Sequence, residues 1–485
     1  MAKTGLSKSR IIAGLQCPKR LYLETYQPEL KDDSGSEMAF AIGNAFGTLA
    51  RDLFSGGLLI EQDDDLQGAL ATTEAAMADD SVDTIFEATF SHNGVLFRAD
   101  ILKKENGGIR LTEVKSSTSV KSYHVDDCAV QAWVLKSLGH HVTRIHLGHV
   151  NNQFVYRGDG NYQGILHEED ITGQVVPRID NVGRWIPEMR DVLAGKEPDI
   201  EVGPHCSIPY GCPFQNHCWP ALPDYPVSNL PGKGPIVKAL LSEGIEDMRD
   251  IPQGRLTSAI QERVRRITKT GKEELNPAAA DIINALPYPR YHIDFETAGP
   301  TIPVWEGMRP NQQVPFQWSC HIEVDANTLE HAEFLDTSGD PPMRPVAEAM
   351  IETIGESGPV FMYTSFERTV INNLIKQLPD LKEPLSRIVD RLVDLYPIVK
   401  QHYYHPDMLG SWSIKKVLPA MVPELQYSDL EGISDCMAAS QAYLEIIEPD
   451  TSQERKTQLE KELLAYCHLD TLAMVKVARR LANGK

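Results

Sequence analysis

Nowhere in its 485 residues does the chain hold the roughly 18 consecutive apolar residues that a membrane-spanning helix requires. The opening stretch, MAKTGLSKSRIIAGLQ, has basic residues but no apolar core of the kind a secretory signal needs. A cytoplasmic protein with no membrane partner is the expectation. Basic residues are in the minority: 47 Lys and Arg stand against 68 Asp and Glu, a formal charge of −21. That balance excludes a protein that coats nucleic acid by bulk charge, but not an enzyme with one basic channel. Cysteine is scarce too, and eight thiols are too few for a disulfide scaffold in a chain this long. Fixed-period repeats and low-complexity tracts are also missing.

What is there separates into three regions of an α/β multidomain chain: 1–222, 223–287 and 288–485. In the first, DTIFEATFSHNG, VLFRADILKKE and IRLTEVKSS alternate as strands, with a turn at Asn106-Gly107-Gly108. A helix in VDDCAVQAWVLKSLG and a strand in RIHLGHVNN follow. The second opens with the Pro/Gly-rich PALPDYPVSNLPGKGP and continues as short helices. The third gives three strands (RYHIDFET, PFQWSCHIEV, HAEFLDT), a helix near 345–356, a strand PVFMYTS, a helix from Phe366, and a long last helix.

The stretch PHCSIPYGCPFQNHCWP sets Cys206, Cys212 and Cys218 six residues apart among turn residues. Three thiols so close look like metal ligands, and a closed tetrahedral site needs a fourth. Cys128, Cys320, Cys436 and Cys467 read as ordinary core thiols.

Two groups of acids carry candidate chemistry. In LTEVKSS, Glu113 and Lys115 point to one face of a strand, and Asp100 ends the neighbouring one. Two carboxylates with a lysine can hold a divalent ion and orient a water against a phosphodiester. An isolated E-x-K is more often an exposed salt bridge, but here a helix with Gln131 and a further strand follow in order. In YHIDFETAG, Asp294 and Glu296 share a face of an apolar strand, which needs a cation to offset their repulsion. Tyr466 and Asp470 share a helical face, and Glu367 opens a helix, where the dipole favours an anion. Asp394 in RLVDLYPIV is a second candidate for the role of Glu367.

SKSRIIAGLQCPKRLYLE and RADILKKENGGIRLTEVKSS resemble the amino-terminal and catalytic segments of RecB-like PD-(D/E)XK nucleases, in particular CRISPR-associated and helicase-linked members that carry an iron-sulfur cluster. The resemblance covers about residues 6–220. It implies a restriction-endonuclease-like core, catalytic Asp100, Glu113, Lys115 and Gln131, and Cys17 as the fourth ligand of a 4Fe-4S cluster with Cys206, Cys212 and Cys218. Zinc on the same thiols stays open as the alternative. In GNAFGTLARDLF the chain has Gly47 where that family often has a histidine ligand.

The D-x-E and Y-x3-D motifs, with the element order of 288–485, resemble ribonuclease H-like exonucleases of the four-acid type. That implies Asp294, Glu296, Glu367 and Asp470 as ligands of Mg²⁺ or Mn²⁺, and Tyr466 as a catalytic residue. Thr364 and Phe366-Glu367 stand where that family has Asn and Phe-Asp. The whole resembles a bacterial family that joins two such domains around a helical linker. The implied activity is a DNA exonuclease in repair or in defence against foreign DNA. The rival is a nucleic-acid-binding scaffold with a degenerate first module and an active last one, acting on RNA. RVRRITKTGK supplies candidate phosphate contacts in Arg263, Arg265, Arg266 and Lys269, and Arg309, Lys415 and Lys416 are others. A solvated basic helix face is the alternative for the first group.

Overall fold

Alternation of apolar and polar residues between Thr84 and Lys115 sets up the sheet of the first unit. The computed structural model describes residues 5–32, 37–61, 65–105, 107–219, 222–232, 234–427 and 432–484. Seven strands form this sheet: β1 (Leu6–Ser7), β2 (Leu58–Leu59), β3 (Thr84–His92), β4 (Val95–Glu105), β5 (Gly108–Lys115), β6 (Val142–Val150) and β7 (Leu166–Asp170). Their order is β2-β3-β4-β5-β6-β7, with β1 paired to β4. Asn93 and Gly94 close the β3–β4 hairpin with φ of 47° and 66°, the left-handed pair that a two-residue turn between twisted strands favours. At the β4–β5 turn, Gly107 has φ 74°; Asn106 lies outside the described residues. The helix Ser122–Ser137 carries the chain over so that β6 runs parallel to β5. Its Val125, Ala129 and Val134, with Val182 and Ile186 of the helix Thr172–Ala194, cover the apolar face.

In the second unit a short ladder pairs β8 (Glu274–Leu275) with a strand at Tyr403–Tyr404. The main sheet is built from β9 (Arg290–Ala298), β10 (Val314–Glu323), β11 (Leu329–Leu335), β12 (Val360–Met362) and β13 (Leu392–Asp394). Its order is β11-β10-β9-β12-β13. The first three strands are antiparallel, whereas β12 is parallel to β9 and β13 to β12. The parallel strands are reached through the helices Met343–Thr353 and Phe366–Gln377.

The two faces of this sheet differ in kind. Tyr291, Ile293, Phe295, Trp318 and Cys320 form an apolar core with Val346, Met350, Ile371 and Leu374. On the other face His292, Asp294 and Glu296 stand opposite His321, Ser319 and Gln317 in register. The long helix Gln453–Asn483 covers that polar face: Gln317 Nε2 donates to the Leu463 carbonyl at 2.9 Å, and Ser319 Oγ meets Thr471 Oγ1 at 2.8 Å.

The chain divides into two compact units, Met1–Pro220 with Pro300–Asn311, and Ala221–Gly299 with Gln312–Lys485. The helical segment after residue 222 is not a free-standing module. Leu240, Val264, Ile267 and Ile283 share one core with Phe361, Tyr403, Trp412, Val477 and Leu481. Among the described residues no helix is long and apolar enough to cross a membrane.

Candidate functional site

In the second unit the period of a strand and that of a helix bring four acids together. Asp294 and Glu296 project from the polar face of β9, and Tyr466 and Asp470 sit one turn apart on the helix that covers it. Glu367, in the first turn of the helix Phe366–Gln377, is only 2 % exposed, and its Oε2 has no hydrogen-bond partner. Burial, then the nearby Asp470, Glu367 and Glu296, hold Asp294 well above the usual carboxylate range. Burial and Asp470 push Glu296 up to about 8. Burial likewise raises Glu367 to about 7, and Asp470 to about 6. Burial disfavours the charged form of each carboxyl, and neighbouring acids reinforce this at Asp294, Glu296 and Glu367.

The surroundings fix these groups in place. Tyr427 donates to Asp470 Oδ1 at 2.5 Å. Lys415 Nζ donates to Tyr466 Oη and to the Ser434 carbonyl, both at 2.9 Å. One ligand atom each of Asp294, Glu296 and Cys467 lies within 4.8 Å of the other two. An orphaned buried carboxylate oxygen beside mutually repelling acids fits a divalent cation. Asp394, the other acid considered for this site, caps a helix instead: its Oδ1 accepts from Thr364 N at 3.0 Å and Tyr396 N at 2.9 Å. Thr364 adopts φ 78°, costly for a β-branched residue, immediately before the helix that carries Glu367.

The first unit assembles Asp100, Glu113, Lys115 and Gln131 as well. Glu113 is fully buried, with Lys8 and Lys115 each donating to its Oε1 at 2.6 Å and Gln131 Nε2 to its Oε2 at 2.6 Å. Although burial opposes it, the two ammonium groups hold Glu113 well below the usual range. Asp100 accepts from Val114 N at 2.6 Å and is raised to about 7 by burial and by Glu113. Asp127 joins through Lys115 at 3.0 Å and Lys8 at 3.3 Å. Lys8, Asp100, Glu113, Lys115 and Glu87 line a cavity of about 570 Å³. Gly47 lines it too, at a position where a side chain would meet nothing within 4 Å. Glu113 is thus already balanced by lysines, whereas Asp100 beside it is not.

Cys17, Cys206, Cys212 and Cys218 are free thiols that line one small cavity with Phe214 and Trp219. Cys17 sits at the junction of the helices Lys8–Gln16 and Pro18–Tyr26. Gln16 reaches across, donating to the carbonyls of His205 at 2.8 Å and Tyr210 at 2.7 Å. Burial raises the Cys212 and Cys218 thiols. Four convergent thiols without disulfides are a donor set that a soft metal centre fits.

The basic helix Ala259–Thr270 departs from expectation. Arg265 is 6 % exposed, pairs with Glu262 at 2.6 Å and donates to the Ile251 carbonyl. Arg263 pairs with Glu274 and donates to the Lys400 carbonyl. Both guanidinium groups are held by the fold and do not face phosphate, because the helix turns its periodic face, arginines included, toward the core. Arg266 is exposed but paired with Glu274; Lys269 is exposed. Arg309 is exposed and meets Gln153 Oε1 at 3.3 Å. Lys415 is the one candidate phosphate contact that joins an acid site. Sequence reasoning did not find Lys8, Asp127, Glu87, Tyr427 or Cys467. Lys8 had a signal, immediately before the SRIIAGLQ helix pattern, but nothing local in the sequence linked it to Glu113.

A family model described as a domain of unknown function (DUF2779) matches residues 291–413. The matched stretch includes Asp294, Glu296, Glu367 and Asp394 and stops short of Lys415, Tyr466 and Asp470. No curated protein matches the chain.

The raised carboxyls carry a pH signature. Their folded values exceed the unfolded range, so they favour the fold at low pH, and that contribution is lost as pH rises to the value of about 8 at Glu296. Buried histidines with lowered values, such as His124 and His321, act oppositely, but only below about pH 6.5. Metal-stripped protein should therefore lose thermal stability between about pH 6.5 and pH 8, and Glu296→Gln should lose less. Unfolding midpoints across that window check this; identical slopes in both proteins would contradict it.

Proposed function

We propose that the chain is a metal-dependent nuclease whose second unit is a ribonuclease H-like, four-acid exonuclease acting on DNA. The observation that carries this is the convergence of half-buried Asp294 with buried Glu296, Glu367 and Asp470, beside a lysine-bound tyrosine. The strand order β11-β10-β9-β12-β13, antiparallel and then parallel, supports the fold assignment. Mg²⁺ or Mn²⁺ held by the four acids would offset phosphate charge and lower the pKa of a bound water. Tyr466 keeps its proton, since burial and Asp470 raise the phenol. With its oxygen accepting from Lys415, Tyr466 has its own O–H free to hold a water or a phosphate oxygen. Lys415 adds positive charge where the scissile phosphate would lie.

For the first unit, the antiparallel β3-β4-β5 run followed by the parallel β6 supports a PD-(D/E)XK core. There Lys115 and Gln131 orient Glu113, and Asp100 completes the acid pair. A second reading is favoured by Gly47 and by the two lysines on Glu113: the first unit binds nucleic acid without cutting it, and the second cuts alone, on RNA.

End-labelled single- and double-stranded DNA and RNA, with Mg²⁺ or Mn²⁺, separate these. Asp294→Asn should lower exonuclease activity by more than the roughly 10–100-fold that loss of an outer-shell partner costs a metal site. Glu113→Gln should remove a separate activity if the first unit cuts, and none if it only binds. Unchanged cleavage in Asp294→Asn would overturn the assignment of the second unit.

For Cys17, Cys206, Cys212 and Cys218 we infer a 4Fe-4S cluster, with zinc as the alternative. Either would clip the start of the unit to its end, removing on the order of 4–5 kcal/mol of chain entropy from the unfolded state, by analogy with long disulfide loops. Protein purified without oxygen should be brown and lose that colour in Cys17→Ala. Colourless protein with stoichiometric zinc would replace the cluster by a structural zinc.

A further inference from the structure

Beside the four acids, but not among them, three imidazoles meet on the polar side of the second unit's sheet. His321 of β10 and His331 of β11 are directly opposite in register. His468 comes from the covering helix Gln453–Asn483. Ring centroids lie 4.5 Å (His321–His331), 4.7 Å (His321–His468) and 4.4 Å (His331–His468) apart. One ring nitrogen of each lies within 4.8 Å of those of the other two.

A chain of hydroxyls braces two of the rings. His331 Nε2 meets Ser319 Oγ at 2.9 Å, Ser319 Oγ meets Thr471 Oγ1 at 2.8 Å, and Thr471 Oγ1 meets His321 Nδ1 at 2.8 Å. In metal sites the ligating imidazole is held in this way through its second nitrogen. The nearest acid is Glu333, whose Oε2 is 3.9 Å from His331 Nε2.

We propose that His321, His331 and His468 bind a zinc ion, at a site separate from the carboxylates and from the four cysteines. Imidazole donors select zinc over Mg²⁺ and Mn²⁺, which prefer oxygen. Three histidines leave a fourth position for water, and the side chain of His331, 23 % exposed, gives access from solvent. Since His468 and Asp470 share one helical turn, zinc there would hold the turn bearing Asp470 against β10 and β11.

The test is zinc titration of the metal-stripped full chain against a chromophoric chelator, with excess Mg²⁺ present. The wild-type protein should bind one zinc equivalent more than His331→Gln, a substitution on an accessible edge strand. His468→Asn should show the same loss. That one-equivalent difference should persist when both proteins also carry Asp294→Asn, which separates this site from the carboxylates whether or not they serve a nuclease. Equal zinc binding in wild type and His331→Gln would overturn the proposal, as would disappearance of the difference in the Asp294→Asn background.

Discussion

Crowding of four acids, three of them buried and Asp294 half-buried, is the constraint around which the second unit is arranged. Asp294, Glu296, Glu367 and Asp470 come from a strand and two helices; burial pushes each above the carboxylate range, and neighbouring acids add to this at Asp294, Glu296 and Glu367. A purely structural sheet would have apolar residues on that face, as the opposite face does through Ile293, Phe295 and Trp318. Instead the polar row is kept and covered by the long helix, braced by hydrogen bonds from Gln317 and Ser319. Thr364, strained at φ 78° and donating its N–H to Asp394 Oδ1, leads into the helix that carries Glu367. The unit is organised to keep acids together that would otherwise separate.

The first unit solves a similar problem differently. Glu113 is buried more deeply than Asp294, yet its charge is favoured, because Lys8 and Lys115 both reach it. A buried carboxylate with two ammonium partners is stable without a cation. The same residue types thus give one carboxylate, Glu113, whose charge is met by lysines, beside Asp100, whose charge is not.

Much of this was legible in the sequence wherever a short period fixes direction. The strand predicted over VLFRADILKKE is observed over those residues, Val95–Glu105, and D-x-E on β9 and Y-x3-D on the last helix point as their spacings require. What stayed hidden depends on contacts distant in sequence. Lys8 reaches Glu113 across 105 residues, and Tyr427 reaches Asp470 across 43. The cluster of arginines near 265 read as a surface for phosphate because charge alone does not reveal that Glu262, Glu274 and two backbone carbonyls take up those guanidinium groups. For the same reason the segment after residue 222 read as a linker: its apolar residues share a core with residues distant in sequence, such as Tyr403, Trp412 and Leu481.

If the four acids are a cation site, carboxyls protonated near neutral pH must give up protons when the ion enters. Calorimetric titration of Mn²⁺ near pH 7, in buffers of different ionisation enthalpy, measures binding and proton release together. The account predicts Mn²⁺ binding with net proton release, both lost in Asp294→Asn. Mn²⁺ binding that is absent, or that is unchanged by Asp294→Asn, would contradict it.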